Sequence, residues 1–248
     1  MRVIAVVPAA GRANRMGLER NKVLIDVAGE PVISWVIRAI CASESVSELI
    51  ICTRKGEEKD IWHAASPHKG KMNISLVEGG AERQESVYNA LVEVEGKADY
   101  IIVHDAARPL VTPQLLRGVL KAAIEYGAAT AAVPCTDTIK EANEDGFVKR
   151  TLPRQDLYLV QTPQAFRYEI LRLAHEHARK LNLRCTDDAT LVEAVGERVK
   201  LVPGEPHNIK ITLHGDLLLA ESLLKAFVAA GIAPKCSCKS AHLNLSGI

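Results

Sequence analysis

Strand-length apolar runs recur at 3–7, 48–52, 74–77, 100–103, 129–133 and 199–202, and stretches with helical spacing lie between them near 31–41, 83–94, 112–126, 167–181 and 214–229. Parallel strands cannot be joined by tight turns. Each needs a long crossover, usually a helix, so the alternation predicts βαβ units and an α/β fold with helices covering a parallel sheet. The runs Val3-Ile4-Ala5-Val6-Val7 and Tyr100-Ile101-Ile102-Val103 are continuous rather than alternating, as strands buried on both faces should be. At 248 residues the chain has room for one large α/β domain or two small ones.

One segment breaks this rhythm. Residues 137–154 read DTIKEANEDGFVKRTLPR, two short runs around Asp145-Gly146. That pattern predicts a polar β-hairpin. Such a hairpin buries little surface of its own, so it either leans on another body, such as a partner subunit, or is a solvated excursion.

Charge narrows the function classes. The formal net charge is +1, so no global field draws the chain to nucleic acid or to a membrane, and any phosphate chemistry must come from local Lys and Arg placement. No window approaches the ~18 apolar residues of a membrane span, and the N-terminal apolar stretch is strand-length rather than a signal peptide. Six cysteines, mostly isolated in apolar contexts, suggest reduced thiols and a cytoplasmic protein. Cys236 and Cys238 sit in a polar tail without a second metal-ligating pair.

The chemistry lies at strand ends. The first strand runs into Pro8-Ala9-Ala10-Gly11-Arg12-Ala13-Asn14-Arg15-Met16-Gly17. Ala9, Ala10 and Gly11 let a base or phosphate approach the backbone, Arg12 and Arg15 are fixed forks of donors, and Lys22 adds a point charge. The alternative is a tight strand-to-helix turn with solvated arginines. The loop is neither Gly-x-Gly-x-x-Gly nor a P-loop, and the second strand ends Cys52-Thr53-Arg54 where a dinucleotide fold wants an acidic residue, so an NAD-type oxidoreductase is disfavoured. A second segment, Tyr100 to Pro109, ends a buried strand in His104-Asp105. Asp105 there is a hard ligand suited to Mg²⁺ that also touches phosphates, or else a turn residue. His104 reads as structural. Gly79-Gly80 precedes a helix beginning near Ala81, which puts Ser86 about one turn in. Lys210, within the β-like pattern Asn208-Ile209-Lys210-Ile211-Thr212, either snorkels or points at an anion. His175 and His177, two apart on an amphipathic helix, share no face and read as surface residues.

Taken in order, PAAGRANRMG, VHDAARP, Thr136-Asp137-Thr138-Ile139-Lys140, Gln161-Thr162-Pro163-Gln164-Ala165-Phe166, Thr186-Asp187-Asp188-Ala189 and NIKIT resemble the 2-C-methyl-D-erythritol 4-phosphate cytidylyltransferases of the non-mevalonate isoprenoid pathway. The resemblance runs from about Val3 to Ala229. It implies a nucleotidyltransferase domain over 1–230 followed by a tail, 231–248, with a Rossmann-like three-layer αβα architecture, a mostly parallel sheet and the 137–154 hairpin as a dimerisation arm of a homodimer. It implies that CTP and 2-C-methyl-D-erythritol 4-phosphate are converted to the CDP-linked alcohol and pyrophosphate. By matching motifs, Arg15, Lys22 and Lys210 act on the CTP phosphates and Asp105 supports Mg²⁺. Ala9, Ala10, Gly11, Arg12, Gly80 and Ser86 line the nucleotide, and Asp105, Arg108 and Thr162 lie by the second substrate, joined by Thr138 and Arg154 from the partner's arm. Three positions depart from the pattern: Ala13 stands for a loop glycine, Asn21-Lys22-Val23 for Pro-Lys-Gln, and Ala81 where relatives can carry Asp. A cytidylyltransferase for another alditol phosphate, such as ribitol 5-phosphate, is the nearest competitor.

Overall fold

Val3, Ala5 and Val7 face one side of the first strand and Ile4 and Val6 the other, and all five are at most 3% exposed. The strand therefore has a core on each face, as its unbroken apolar run requires. The computed structural model describes residues 1–11, 21–68, 70 and 72–234. In chain order the principal elements are β1 (Val3–Pro8), β2 (Asp26–Val27), β3 (Glu30–Pro31), α1 (Val32–Ser43), β4 (Glu48–Thr53), α2 (Glu58–Ala65), β5 (Asn73–Glu78), α3 (Arg83–Glu93) and β6 (Tyr100–Val103). There follow α4 (Pro113–Tyr126), β7 (Ala128–Pro134), β8 (Lys140–Ala142), β9 (Val148–Thr151), β10 (Tyr158–Arg167), α5 (Tyr168–Leu181), α6 (Asp188–Ala194), β11 (Lys200–Pro203) and α7 (His214–Ala229).

Seven strands form one sheet in the order β11-β7-β10-β6-β1-β4-β5. Every neighbouring pair is parallel except those of β10, which runs antiparallel to both β6 and β7. One face packs α1, α2, α4 and α7, and the other packs α3, α5 and α6. The expected three-layer, mostly parallel α/β architecture is what forms.

The expected strands and helices are present with small shifts at their ends. The sequence patterns do not reveal five of these elements: the short strands β2 and β3, and α2, α6 and β10. The NIKIT stretch is no strand; Asn208–Thr212 is an irregular loop between β11 and α7. Helix boundaries follow local chemistry. Thr112 caps α4 by accepting from Leu115 N at 3.1 Å, Pro113 fills its first turn, and Gly127 ends it at φ 90°.

The predicted hairpin forms as a separate two-stranded sheet of β8 and β9, with Gly146 at φ 83° in its turn. Arg154 closes its base by donating to Thr136 O. Its large apolar residues are uncovered: Phe147 is 73% and Val148 62% exposed. No helix among the described residues is long and apolar enough to cross a membrane.

Glycine at 79 is dictated by contact. A Cβ there would lie 2.4 Å from Ala10 Cβ and 3.0 Å from Ser86 Oγ, so only glycine lets the loop after β5 lie against the loop after β1. Gly118, inside α4, has open space: the nearest atom to an added Cβ is Val202 Cγ1 at 4.0 Å. Gly79→Ala should therefore lower stability by about 1–3 kcal/mol through overpacking, while Gly118→Ala should raise it by about 0.4–1 kcal/mol. Denaturant unfolding of the two variants checks the opposed signs.

Candidate active site

The carboxyl ends of β1, β4, β5 and β6 point to one edge of the sheet, where an open α/β sheet leaves its ligand crevice. An open cleft of about 210 Å³ lies there, between Ala9 and Gly11 on one side and Gly80 to Arg83 on the other, with Lys22, Asp105 and Lys210 in its walls. A second cavity adjoins it, walled by Arg108, Thr162, Gln164 and Asp187. Arg83, Asp105 and Lys210 line both. These three form the partition between two chambers.

The partition is a charge cluster. Arg83 Nε donates to Asp105 Oδ1 at 2.9 Å, Lys210 Nζ to Asp105 Oδ2 at 2.8 Å, and Arg108 Nε stands 3.7 Å from the same oxygen. Burial opposes ionisation of Asp105, yet Arg83, Lys210 and Arg108 outweigh it and hold the carboxyl far below the ordinary range. Behind Asp105, Arg83 Nη1 donates to Asp188 Oδ2 at 2.7 Å, and His175 Nε2 meets Asp188 Oδ1 at 2.9 Å. Asp188 and His175 are both fully buried. The surface reading of His175 is thus wrong: the helix turns it inward to a carboxylate that α6 supplies, a partner that helical spacing within α5 cannot reveal.

The backbone of Asp105 is fixed by a hydrogen-bond chain. Asp105 N donates to Thr162 Oγ1 at 3.0 Å, and Thr162 Oγ1 meets His104 Nδ1 at 3.1 Å. His104 Nε2 meets Arg108 O at 3.2 Å. A carbonyl can only accept, so Nε2 carries the proton and Nδ1 accepts from the threonine hydroxyl. Burial pushes the His104 imidazole down to about 4, which keeps that neutral tautomer. His104 is structural, as expected, and the Thr162 hydroxyl holds the backbone of Asp105.

Lys210 owes its position to its neighbours. Asn208, fully buried, donates through Nδ2 to Thr162 O at 2.8 Å and to Gln161 Oε1 at 3.2 Å. Ile211 N donates to Ala107 O at 2.9 Å. A loop tied on both sides of Lys210 carries the ammonium to Asp105. The same loop receives Lys22, whose Nζ donates to Ile211 O at 2.7 Å. The two predicted lysines therefore meet at one place although 188 positions separate them in the chain.

Other predicted residues divide. Ala9, Gly11, Gly80 and Ser86 border the first cleft, and Ala10 is buried beside them. Ser86 Oγ accepts from Gly80 N and donates to Glu82 O, each at 3.1 Å, which shapes the glycine turn. The helix starts at Arg83, two residues later than Ala81. Thr138 and Arg154 are exposed near the base of the arm and line neither cleft of their own chain. Arg12, Ala13 and Arg15 lie outside the described residues, as do Cys236 and Cys238. Cys52, Cys135 and Cys185 are free thiols.

Arg83 and Asp188 are the residues that motif reading passed over. A signal existed for the first: an arginine in the opening turn of a helix sits against the positive end of the helix dipole and needs anionic partners nearby. Asp188 lies in the quoted TDDA stretch, whose turn is held by Gln164 of the TPQAF stretch. Gln164 Nε2 donates to Asp187 Oδ2 at 2.7 Å and its Oε1 accepts from Asp188 N at 3.2 Å.

Comparison with known proteins agrees with this geometry. Residues 3–226 match the family model described as IspD, 2-C-methyl-D-erythritol 4-phosphate cytidylyltransferase. A protein of that name from Pelotomaculum thermopropionicum is 48% identical over 226 residues, 91% of this chain and 95% of its own length. The crystal structure of 2-C-methyl-D-erythritol 4-phosphate cytidylyltransferase from Thermus thermophilus is 37% identical with a TM-score of 0.75, covering 91% of this chain and all of the other. That of 4-diphosphocytidyl-2C-methyl-D-erythritol synthase from Anaerococcus prevotii has a TM-score of 0.81 at 28% identity, over 90% and 98% of the two chains. The lysines, the charged partition and the interlocked TPQAF and TDDA stretches are thus carried on a fold and sequence matched nearly end to end, and the chain belongs to the 2-C-methyl-D-erythritol 4-phosphate cytidylyltransferase family.

Proposed function

We propose that this chain joins CTP to 2-C-methyl-D-erythritol 4-phosphate, forming 4-diphosphocytidyl-2-C-methyl-D-erythritol and pyrophosphate for isoprenoid precursor synthesis. Beside family membership, the observation that carries this reading is the pair of clefts sharing one cationic wall. Two anionic substrates can enter from opposite sides and meet at Lys210, Arg83 and Asp105.

The nucleophile is the phosphate monoester, whose second pKa of ~6 makes it mostly dianionic at neutral pH, so no general base is needed. One of its oxygens bonds to the α-phosphorus of CTP, the bond from that phosphorus to the bridging oxygen breaks, and pyrophosphate leaves with the electron pair. The obstacle is repulsion between anions, so catalysis is positioning and charge stabilisation. Lys22 and Lys210 stand at the first cleft, and Arg15, in the segment between Gly11 and Asn21, joins them for the triphosphate. Ala9, Ala10, Gly11, Arg12, Gly80 and Ser86 form the nucleotide's bed. Arg108 serves the second cleft, and Thr162 keeps Asp105 in register from the same side.

Asp105 is the residue that would hold Mg²⁺. One carboxylate suits an ion that takes its other ligands from phosphate oxygens and water, and among the described residues no cluster of three or more His, Cys, Asp or Glu could hold a metal by itself. Such an ion, when bound, withdraws charge from the phosphates. The Lys210 ammonium meets the same carboxylate at Oδ2.

The arm completes the second site in a homodimer. Its exposed Phe147 and Val148 supply the contact surface, and Thr138 and Arg154 reach the alditol phosphate bound by the other copy. Free cysteines fit a reducing cytoplasmic setting.

Replacing Lys22 or Lys210 with Ala should lower kcat by at least ~10²-fold, the scale of losing one preorganised donor. Pyrophosphate release with CTP and each of several alditol phosphates measures this, and a preference for ribitol 5-phosphate would reassign the substrate. Mixed dimers of inactive Arg154→Ala and inactive Lys22→Ala subunits should regain activity, because one site then carries neither change. Absence of regained activity in verified heterodimers would show each site to be built within a single chain.

A further inference from the structure

Arg54 directly follows β4, where a dinucleotide-binding fold would carry an acid, and it lines neither cleft described above. It is nonetheless committed. Its Nη2 donates to Gly11 O at 3.0 Å, and its Nη1 pairs with Glu57 Oε1 at 3.0 Å. The other oxygen of Glu57 accepts from Asn21 Nδ2 at 2.7 Å. That same Nδ2 donates to Ala9 O at 2.7 Å, and Asn21 Oδ1 accepts from Val23 N at 3.3 Å. Asn21 is 1% exposed.

The result is a closed circuit: Gly11 carbonyl, Arg54, Glu57, Asn21, Ala9 carbonyl. It ties the exit of β1 to the residue before Lys22. One ion pair thus holds the Ala9 and Gly11 carbonyls at the border of the first cleft and sets the turn from which Lys22 projects. Fixing these groups in advance reduces the ordering that a bound triphosphate must otherwise impose on them. A guanidinium suits the task because its fixed fork reaches a carbonyl and a carboxylate at once, and hydrogen bonds to charged groups are the stronger kind.

We propose that Arg54 and Glu57 are positioning residues for the nucleotide, bracing the Ala9–Gly11 backbone and the turn that carries Lys22 without touching the substrate. The proposal rests on the reading of the first cleft as the CTP site. It predicts a selective effect. Glu57→Gln and Arg54→Met should each raise KM for CTP about tenfold, the scale of a lost charge-assisted hydrogen bond, and leave KM for the alditol phosphate within about twofold. The double variant should be scarcely worse than either single one, because both break the same circuit. Arg54→Lys, which keeps the pairing with Glu57 but loses the fork, should fall between wild type and Arg54→Met.

The test combines steady-state kinetics in each substrate with amide hydrogen exchange over Ala9–Gly11 and Asn21–Leu24 in the ligand-free protein. Faster exchange there, with a rise confined to the KM for CTP, is the expected result. Unchanged exchange, or equal rises in both KM values, overturns the brace. Wild-type protein that fails to turn over CTP refutes the functional reading instead, while the exchange measurement still decides whether the circuit holds these two stretches.

Discussion

A buried carboxylate surrounded by cations is the constraint on which the rest of this site depends. Asp105 alone would resist ionisation at its depth, and Arg83, Lys210 and Arg108 alone would repel one another. Together they hold a configuration that neither sign could keep. Asp188 extends it behind Arg83, and burial, which also disfavours the Asp188 charge, is again overcome by Arg83 and His175. Breaking such a buried network by removing one member typically costs about 3–5 kcal/mol, because the remaining charge is left without a partner. The cluster therefore welds α3, β6, α5, α6 and the loop before α7 at one point, and it presents positive charge to both chambers before any substrate arrives. That is electrostatic preorganisation in its simplest form: the field is assembled by folding, not by binding.

Much of this was legible in the sequence, for a physical reason. Continuous apolar runs report burial on both faces, so the parallel sheet could be read from 3–7 and 100–103 with no other information. Lys22, Asp105 and Lys210 sit at or just beyond strand and loop ends, where the fold puts its ligands. The Asp145-Gly146 turn carried its own signal. What stayed hidden depends on contacts distant in the chain. Tyr158 to Arg167 runs antiparallel between two parallel neighbours, and nothing in its local pattern encodes direction. His175 reads as a solvated helix residue until α6 brings Asp188 to it. NIKIT reads as a strand because its apolar residues alternate, but its burial comes from side-chain anchors such as Asn208.

Asn21 is instructive in the same way. It departs from the residue expected beside the lysine, and from sequence alone that reads as a neighbour lost. In the fold its amide reaches Ala9 and Glu57 and its carbonyl caps the turn that carries Lys22, so the position is occupied by a connector. A departure from a motif can mark a local solution as readily as a local loss.

The antiparallel strand also orders the assembly in time. β6 has β1 on one side, but its other neighbour is β10, and β7 reaches the sheet only through β10. A chain emerging from the ribosome can pair β1, β4, β5 and β6, which end at Val103, and then holds the β6 edge open until the strand beginning at Tyr158 has been made. When β10 enters, it closes that edge, admits β7 and lays Thr162 against the backbone of Asp105 in a single event. Asp188, β11 and Lys210 follow. The half of the protein that looks most like a nucleotide fold is thus made first, and the half that makes it chemically competent is made last, so for much of its synthesis the nascent chain carries an exposed strand edge beside an Asp105 that has Arg83 and Arg108 but not yet Lys210.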